Sequence, residues 1–242
     1  MLQNKQFLIT GGTSGIGLAL VRKLAEDNRV IVISRSGTLP DELTTGKNPV
    51  DLYHADLASK TDVEGVFDQI QRRYTSLDVL INNAAVQSTP ELLSDDFNYD
   101  AIQTEIAINF TAICQLTYLC LPLLQAAEQG LVLNVNSGLA IVPKQGSAIY
   151  CATKSALDSF SKSLEYQLKN TSIDVQQAFL PLVDTAMTQG RGSGKLSSEV
   201  AAQRIIAGIT HRKPTNDIGK VKLLRAINTV MPPLARRIMR GA

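Results

Sequence analysis

Short apolar, β-branched runs at 7–10, 30–34, 50–54, 79–82, 131–136 and 173–179 alternate with longer stretches at 15–27, 61–74, 101–127 and 148–169, whose apolar residues recur at helical spacing. This alternation constrains the fold more than any other feature. Parallel strands need crossover connections, usually helices, and strands that are apolar on both faces need cover on both. The expected fold class is therefore α/β, a doubly wound parallel sheet with helices on both faces, forming a single domain over residues 1–242. With 44% hydrophobic and 19% charged residues the chain suits one large core and is too apolar for disorder. Ligands of such sheets bind beyond the carboxyl ends of the strands.

The balance of 24 Lys+Arg against 22 Asp+Glu gives no general attraction to nucleic acid, and no nucleic-acid partner is expected. From Arg204 onward, nine Lys/Arg face one acid, Asp217. This basic C-terminal segment, 220–242, interleaves Arg236, Arg237 and Arg240 with Ile227, Val230, Met231, Leu234, Ile238 and Met239. It is expected to be a solvated basic face, a subunit contact or a weak contact with an anionic membrane surface. Cys114, Cys120 and Cys151 have no CxxC spacing and, with only His54 and His211 beside them, imply neither a disulfide framework nor a metal site. With no charged-then-apolar leader before 7–9, the expected location is cytoplasmic.

The first strand runs into Thr10-Gly11-Gly12-Thr13-Ser14-Gly15-Ile16-Gly17 and then a helix, the setting of a dinucleotide-binding turn. Glycines let the backbone approach a pyrophosphate, and the helix N-terminus offers it unpaired N–H groups. Leu18 and Ala19 stand where an ATP-binding P-loop needs Lys and Ser/Thr.

The spacing of this turn resembles that of the short-chain dehydrogenase/reductase family. Further matching motifs follow in order: Asp56-Leu57 after the third strand, Asn82-Asn83-Ala84-Ala85 after the fourth, Asn109 in the central helix, Ser137 closing the fifth strand, and Tyr150-Cys151-Ala152-Thr153-Lys154. The resemblance spans about 7–185. Within the family, 137–140 and 150–157 look like the bacterial oxidoreductases related to those found beside D-alanyl-lipoteichoic-acid genes. It implies a Rossmann fold and hydride transfer between a carbonyl and an alcohol, with Asn109, Ser137, Tyr150 and Lys154 catalytic. The cofactor is expected at Gly11, Thr13, Ser14, Gly15, Ile16, Gly17, Ser34, Arg35, Asp56, Leu57, Asn83, Ala84, Tyr150, Lys154, Val183 and Thr185. Two departures stand out: Ala85 replaces a family glycine, and Leu180-Pro181 replaces a Pro-Gly pair past the nicotinamide.

Tyr150 and Lys154, four apart on a helix, share one face. A lysine ammonium and a nicotinamide cation nearby are expected to favour the phenolate and bring the pKa down from about 10 toward neutrality, fitting it as the acid/base. Ser137 is expected to hold the substrate oxygen, and the resemblance gives Asn109 a relay water linked to Lys154. At the end of the second strand, Ser34-Arg35-Ser36 lacks the acid that binds the ribose 2′-OH of NAD, so NADP(H) is favoured over NAD(H). The Gly/Ser-rich 188–198 is expected to be a flexible substrate loop or an ordinary surface connection. A homodimer or homotetramer is expected through the two long helices, with Phe160, Leu164 and Leu168 facing either a partner or their own core. The alternative function is a cofactor-sensing binding protein without turnover.

Overall fold

The computed structural model describes residues 2–241; residues 1 and 242, the ends of the expected domain, lie outside the described residues. Seven strands, β1 (Gln6–Thr10), β2 (Arg29–Ser34), β3 (Asp51–His54), β4 (Val79–Asn82), β5 (Gly130–Ser137), β6 (Ile173–Leu180) and β7 (Thr215–Asp217), form one parallel sheet in the order β3-β2-β1-β4-β5-β6-β7. The helices are α1 (Gly15–Leu24), the single turn α2 (Asp41–Thr44), α3 (Lys60–Arg73), α4 (Asp100–Ile106), α5 (Ala112–Gln125), α6 (Ala148–Leu168), α7 (Ser198–Thr210), α8 (Val221–Val230) and α9 (Pro232–Arg240). All six expected strands are present. The seventh gave no signal because Thr-Asn-Asp is polar and pairs only with β6.

Alternation along the strands builds the two layers. Phe7 and Ile9 of β1, with Val30 and Val32 of β2, pack under Leu20, Val21 and Leu24 of α1 and Ile205 and Ile209 of α7. Leu8, Ile31 and Ile33 point the other way, onto Val63, Phe67 and Ile70 of α3 and Leu116, Cys120 and Leu124 of α5. Each fully buried Leu, Ile or Phe contributes about 1.5–3 kcal/mol. Helix α1 stops at Leu24, short of the expected 27, where Asn28 turns its amide onto the Leu24 carbonyl.

The expected central helix is one continuous rod, Asp100–Gln125, interrupted by a π-helical turn at Ala107–Thr111. Such turns insert an extra residue and concentrate at functional sites; this one carries Asn109. Of the Phe160, Leu164, Leu168 stripe, Leu164 is buried in the second core and the other two pack against it, so the stripe serves its own subunit. The large apolar side chains these helices expose are instead Ile106, Tyr118 and Tyr166.

A polar ladder crosses the second layer. Asn82 Nδ2 donates to Asn134 Oδ1 at 2.8 Å and approaches Thr117 Oγ1 at 3.3 Å, while Asn134 Nδ2 donates to Ser161 Oγ at 2.8 Å. These buried bonds tie β4 and β5 to α5 and α6 at fixed heights. Removing one partner strands the others without water. Asn134→Ala is expected to cost about 2–4 kcal/mol in urea unfolding, because two buried hydrogen bonds are lost together; a loss below about 1 kcal/mol, the value of one ordinary hydrogen bond, would show that the ladder is dispensable.

Candidate active site

Every strand's carboxyl end opens on one edge, and the order reverses between β1 and β4. At that junction Thr10 Oγ1 accepts hydrogen bonds from the N–H groups of Asn83 and Ala84, both at 3.0 Å. Asn83 Nδ2 returns two bonds, to the carbonyls of Thr10 (3.0 Å) and Gly11 (3.3 Å). Asn83 and Ala84 therefore shape the turn as well as its rim. Ala85, in place of the family glycine, is not among the described non-glycine residues with left-handed backbone, so the replacement is unstrained.

The glycine turn is built for close approach. Gly11 has φ +69°, and a Cβ on Gly17 would lie 2.0 Å from the Gly11 carbonyl oxygen. Ser14 precedes α1 without a side-chain cap, and no acid occupies the first turn, so the N–H groups at Gly15, Ile16 and Gly17 face an open cradle. A dinucleotide pyrophosphate fits this donor set. Thr185 lies against the same turn: a Cβ on Gly15 would meet its Cγ2 at 3.1 Å. Val183, buried, is bridged to Leu196, which fixes the chain just after Leu180-Pro181.

Farther along the edge, Asp56 uses Oδ1 to accept from the Ala58 N–H at 2.9 Å beside buried Leu57. Its second oxygen is left for a donor such as an adenine amine. At the end of β2, Ser34 is already engaged: its hydroxyl donates to the Ser36 carbonyl at 2.9 Å and meets Thr13 Oγ1 at 2.8 Å. Both hydroxyls hold this turn together, which narrows the expected phosphate contact to exposed Arg35.

The catalytic candidates gather on β5 and α6. β5 runs three residues beyond its last pair with β4, Asn82↔Asn134, and from this overhang the Val135 carbonyl accepts Lys154 Nζ at 2.9 Å. Lys154 is 2% exposed, and burial lowers its pKa to about 8. Tyr150, one turn earlier, has its ring centroid 5.7 Å from that ammonium. Within the chain itself the phenol is pushed up to about 12: burial raises it most and the neighbouring Cys151 thiol adds to this, while the Ser137 hydrogen bond pulls partly back; the expected lowering counts a nicotinamide cation as well as the lysine. The ammonium is committed to Val135 instead of the phenol. Ser137 Oγ accepts the Leu139 N–H at 3.1 Å and shares a hydrogen bond with the Tyr150 phenol.

Asn109 is fully buried. Its Oδ1 accepts the Val86 N–H at 2.9 Å and its Nδ2 donates to the Val86 carbonyl at 2.8 Å, so the side chain anchors the loop after β4. That loop borders a cavity of ≈ 400 Å³ whose lining includes Val86, Gln87, Ser88, Thr104 and Glu105. Glu105 is buried; its Oε1 accepts from the Ser88 N–H, its Oε2 has no partner, and burial raises its pKa. Glu105 was not singled out from the sequence, and Gln87, Lys144, Ser147 and Arg191 only as members of the segments 86–91, 139–147 and 182–198, expected to wall the substrate. They belong to no local motif, and the Gln87–Arg191 bond spans 104 residues.

Parallel order, a glycine cradle and a Ser, Tyr and Lys cluster at one edge define a dinucleotide-binding oxidoreductase. Residues 5–195 match the family model for short chain dehydrogenases, and the chain belongs to that family. It is 33% identical to the uncharacterized oxidoreductase DltE of Bacillus subtilis over 231 residues, 93% of this chain and 92% of the relative. It is 29% identical to the very-long-chain 3-oxoacyl-CoA reductase of Mus musculus over 93% of this chain and 75% of that one. Among solved structures, a short chain dehydrogenase from Burkholderia cenocepacia in complex with NADP superposes with a TM-score of 0.88 at 20% identity, covering 99% of this chain and 98% of that one.

Lys154→Met tests the cost of the buried cation. The fall from 10.5 to about 8 corresponds to roughly 3 kcal/mol against the folded state. This penalty is full below pH 8 and fades as pH rises toward 10.5, where the unfolded chain also loses the proton. Loss of the bond to Val135 offsets about 1–2 kcal/mol. The variant is therefore expected to be more stable at pH 7 by roughly 1–2 kcal/mol in urea unfolding, with the gain gone by pH 10.5. A variant less stable than the parent at pH 7 would show that the hydrogen bond outweighs the charge.

Proposed function

We propose that this oxidoreductase interconverts a carbonyl and an alcohol with NADP(H), using Tyr150 as the acid/base. The observation that carries the reading is the convergence of the Ser137 hydroxyl, the Tyr150 phenol and the buried Lys154 ammonium on the carboxyl edge beside the glycine cradle. NADPH supplies the hydride when bound. Ser137 donates to the carbonyl oxygen and orients it. Tyr150, protonated at about 12, gives its proton to that oxygen as negative charge develops. Lys154 stands one helical turn away to stabilise the phenolate left behind. Asn109 acts by holding Val86, and thereby the loop after β4, against the site.

Support for NADP(H) comes from exposed Arg35 at the end of β2, where no acid replaces it, and from the NADP held by the Burkholderia protein. Gly11, Thr13, Ser14, Gly15, Ile16, Gly17, Asp56, Leu57, Asn83, Ala84, Val183 and Thr185 would line the cofactor, and 188–198 would form the substrate loop. The reading includes a homo-oligomer, supported by exposed Ile106, Tyr118 and Tyr166 on the long helices, and a cytoplasmic location. At the C-terminus, exposed Val230, Met231, Leu234 and Ile238 beside Arg236, Arg237 and Arg240 support a weak contact with an anionic membrane surface. Arg225 takes no part: it is paired to Asp217 at 2.6 and 2.8 Å and lies over Phe179.

The deciding experiment follows NADPH absorbance over a panel of ketones and aldehydes. Tyr150→Phe keeps the ring and is expected to lower turnover by about 10²–10⁴ while NADPH binding stays within about twofold, the pattern of a lost acid/base group. A variant that keeps more than about a tenth of the rate would overturn the assignment. Tight NADPH binding with no turnover on any carbonyl would favour a cofactor-sensing protein. Arg35→Asp is expected to narrow or reverse the preference for NADPH over NADH, measured as the ratio of dissociation constants; equal constants in the unaltered protein would remove the preference.

A further inference from the structure

Two cations reach the mouth of the site, and neither has a carboxylate partner. Arg191 lies between Gly190 and Gly192, at φ +73° and +58°, and its N–H is anchored on the Thr188 carbonyl at 3.1 Å. Its guanidinium crosses to the loop after β4, where Nη1 donates to Gln87 Oε1 at 2.9 Å. Gln87 passes the connection on, donating from Nε2 to Ser147 Oγ at 3.1 Å. Ser147, buried at φ +62°, immediately precedes α6, three residues before Tyr150.

Lys144 sits half-buried on the same approach to α6, in the segment that leads into Ser147. Burial and repulsion from Arg191 hold its ammonium below the ordinary lysine range, which places the two cations within mutual influence. Among the described residues neither forms an ion pair. Glu105, the acid that also influences Tyr150, is committed through Oε1 to the Ser88 N–H. A neutral amide is a modest partner for a guanidinium, whose planar fork matches a carboxylate with two parallel bonds. Two like charges held together without a counterion form a receptor for an anion.

We propose that Arg191 and Lys144 together receive a carboxylate on the substrate, so that the reacting carbonyl or alcohol belongs to an oxo acid or hydroxy acid. Arg191 exchanges Gln87 for the carboxylate, and the substrate is clamped between the 188–198 loop and α6 with its carbonyl toward Tyr150. The position of the substrate rests on the carbonyl-reducing reading of the site, but the receptor can be measured without turnover.

Calorimetric titration of the NADP⁺-saturated protein, which has no hydride to give a ketone, with linear oxo acids bearing the ketone at carbon 2, 3, 4 or 5, and with their methyl esters, removes only the charge. At least one acid is expected to bind tenfold or more tightly than its ester. Arg191→Gln and Lys144→Gln are each expected to weaken that acid by tenfold or more without moving the ester. Acids and esters that bind alike throughout would overturn the receptor, and so would an Arg191→Gln variant that weakens both equally, the mark of a loop latch. Turnover of the same compounds separates the two readings. Acid-selective binding without NADPH oxidation would uphold the receptor and defeat carbonyl reduction, whereas esters reduced as well as acids would uphold reduction and defeat the receptor.

Discussion

Parallel pairing is the constraint on which the rest depends. It sends every connection back across the sheet through a helix, buries both strand faces, and collects all the carboxyl ends on one edge. Two unequal strands then create the site. Because β5 outruns β4, a backbone carbonyl at Val135 is left to hold a lysine ammonium in a place where a charge would otherwise go unpartnered. Because β1 and β4 diverge at the reversal of order, Thr10 can close the gap with one hydroxyl and set the floor of the glycine cradle. The chemistry-bearing groups are thus by-products of register.

The Asn82, Asn134 and Ser161 ladder shows how that register is held against sliding. Apolar packing of α5 and α6 on the sheet is tolerant of small shifts, whereas a chain of buried amide and hydroxyl bonds has one good alignment. Helix α6 carries both the ladder's far end, Ser161, and the Tyr150 and Lys154 pair. A polar feature in the core therefore fixes the height of the catalytic helix.

What the sequence made legible was local. Strands β1 to β6, the glycine turn and the Tyr150 to Lys154 spacing are each written within about ten residues, and the structure shows them where the pattern puts them. Three kinds of feature were not. β7 is polar and three residues long. Ser34 had the right chemistry for a phosphate, but its hydroxyl is satisfied inside its own turn by Ser36 and Thr13, contacts that depend on how the backbone bends. The segments 86–91, 139–147 and 182–198 could be expected to wall the substrate, but that Gln87 and Arg191 within them are bonded across 104 residues is set by how the connections converge on one strand edge. Spacing shows that a lysine is near Tyr150, while the rise of the phenol to about 12 comes first from burial, which spacing does not show.

That rise has a mechanistic meaning. Burial drives both members of the pair toward neutrality, the phenol to about 12 and the ammonium to about 8. A proton resting on Tyr150 is firmly held against solvent but still belongs to a far stronger acid than an alcohol, so an oxygen becoming an alkoxide takes it downhill. In the proposed reaction the protonated phenol is therefore the form that reduction would use. For oxidation, the phenol must first be ionised, and the charge then left on it needs the lysine that at rest is bound to Val135. Anything that brings a cation to this pocket lowers the phenol, while a substrate carboxylate at Arg191 and Lys144 offsets the positive charge already at the mouth. In the proposed reaction the two effects act on one proton from opposite sides, so a charged ligand at either place would shift how readily Tyr150 gives up its proton.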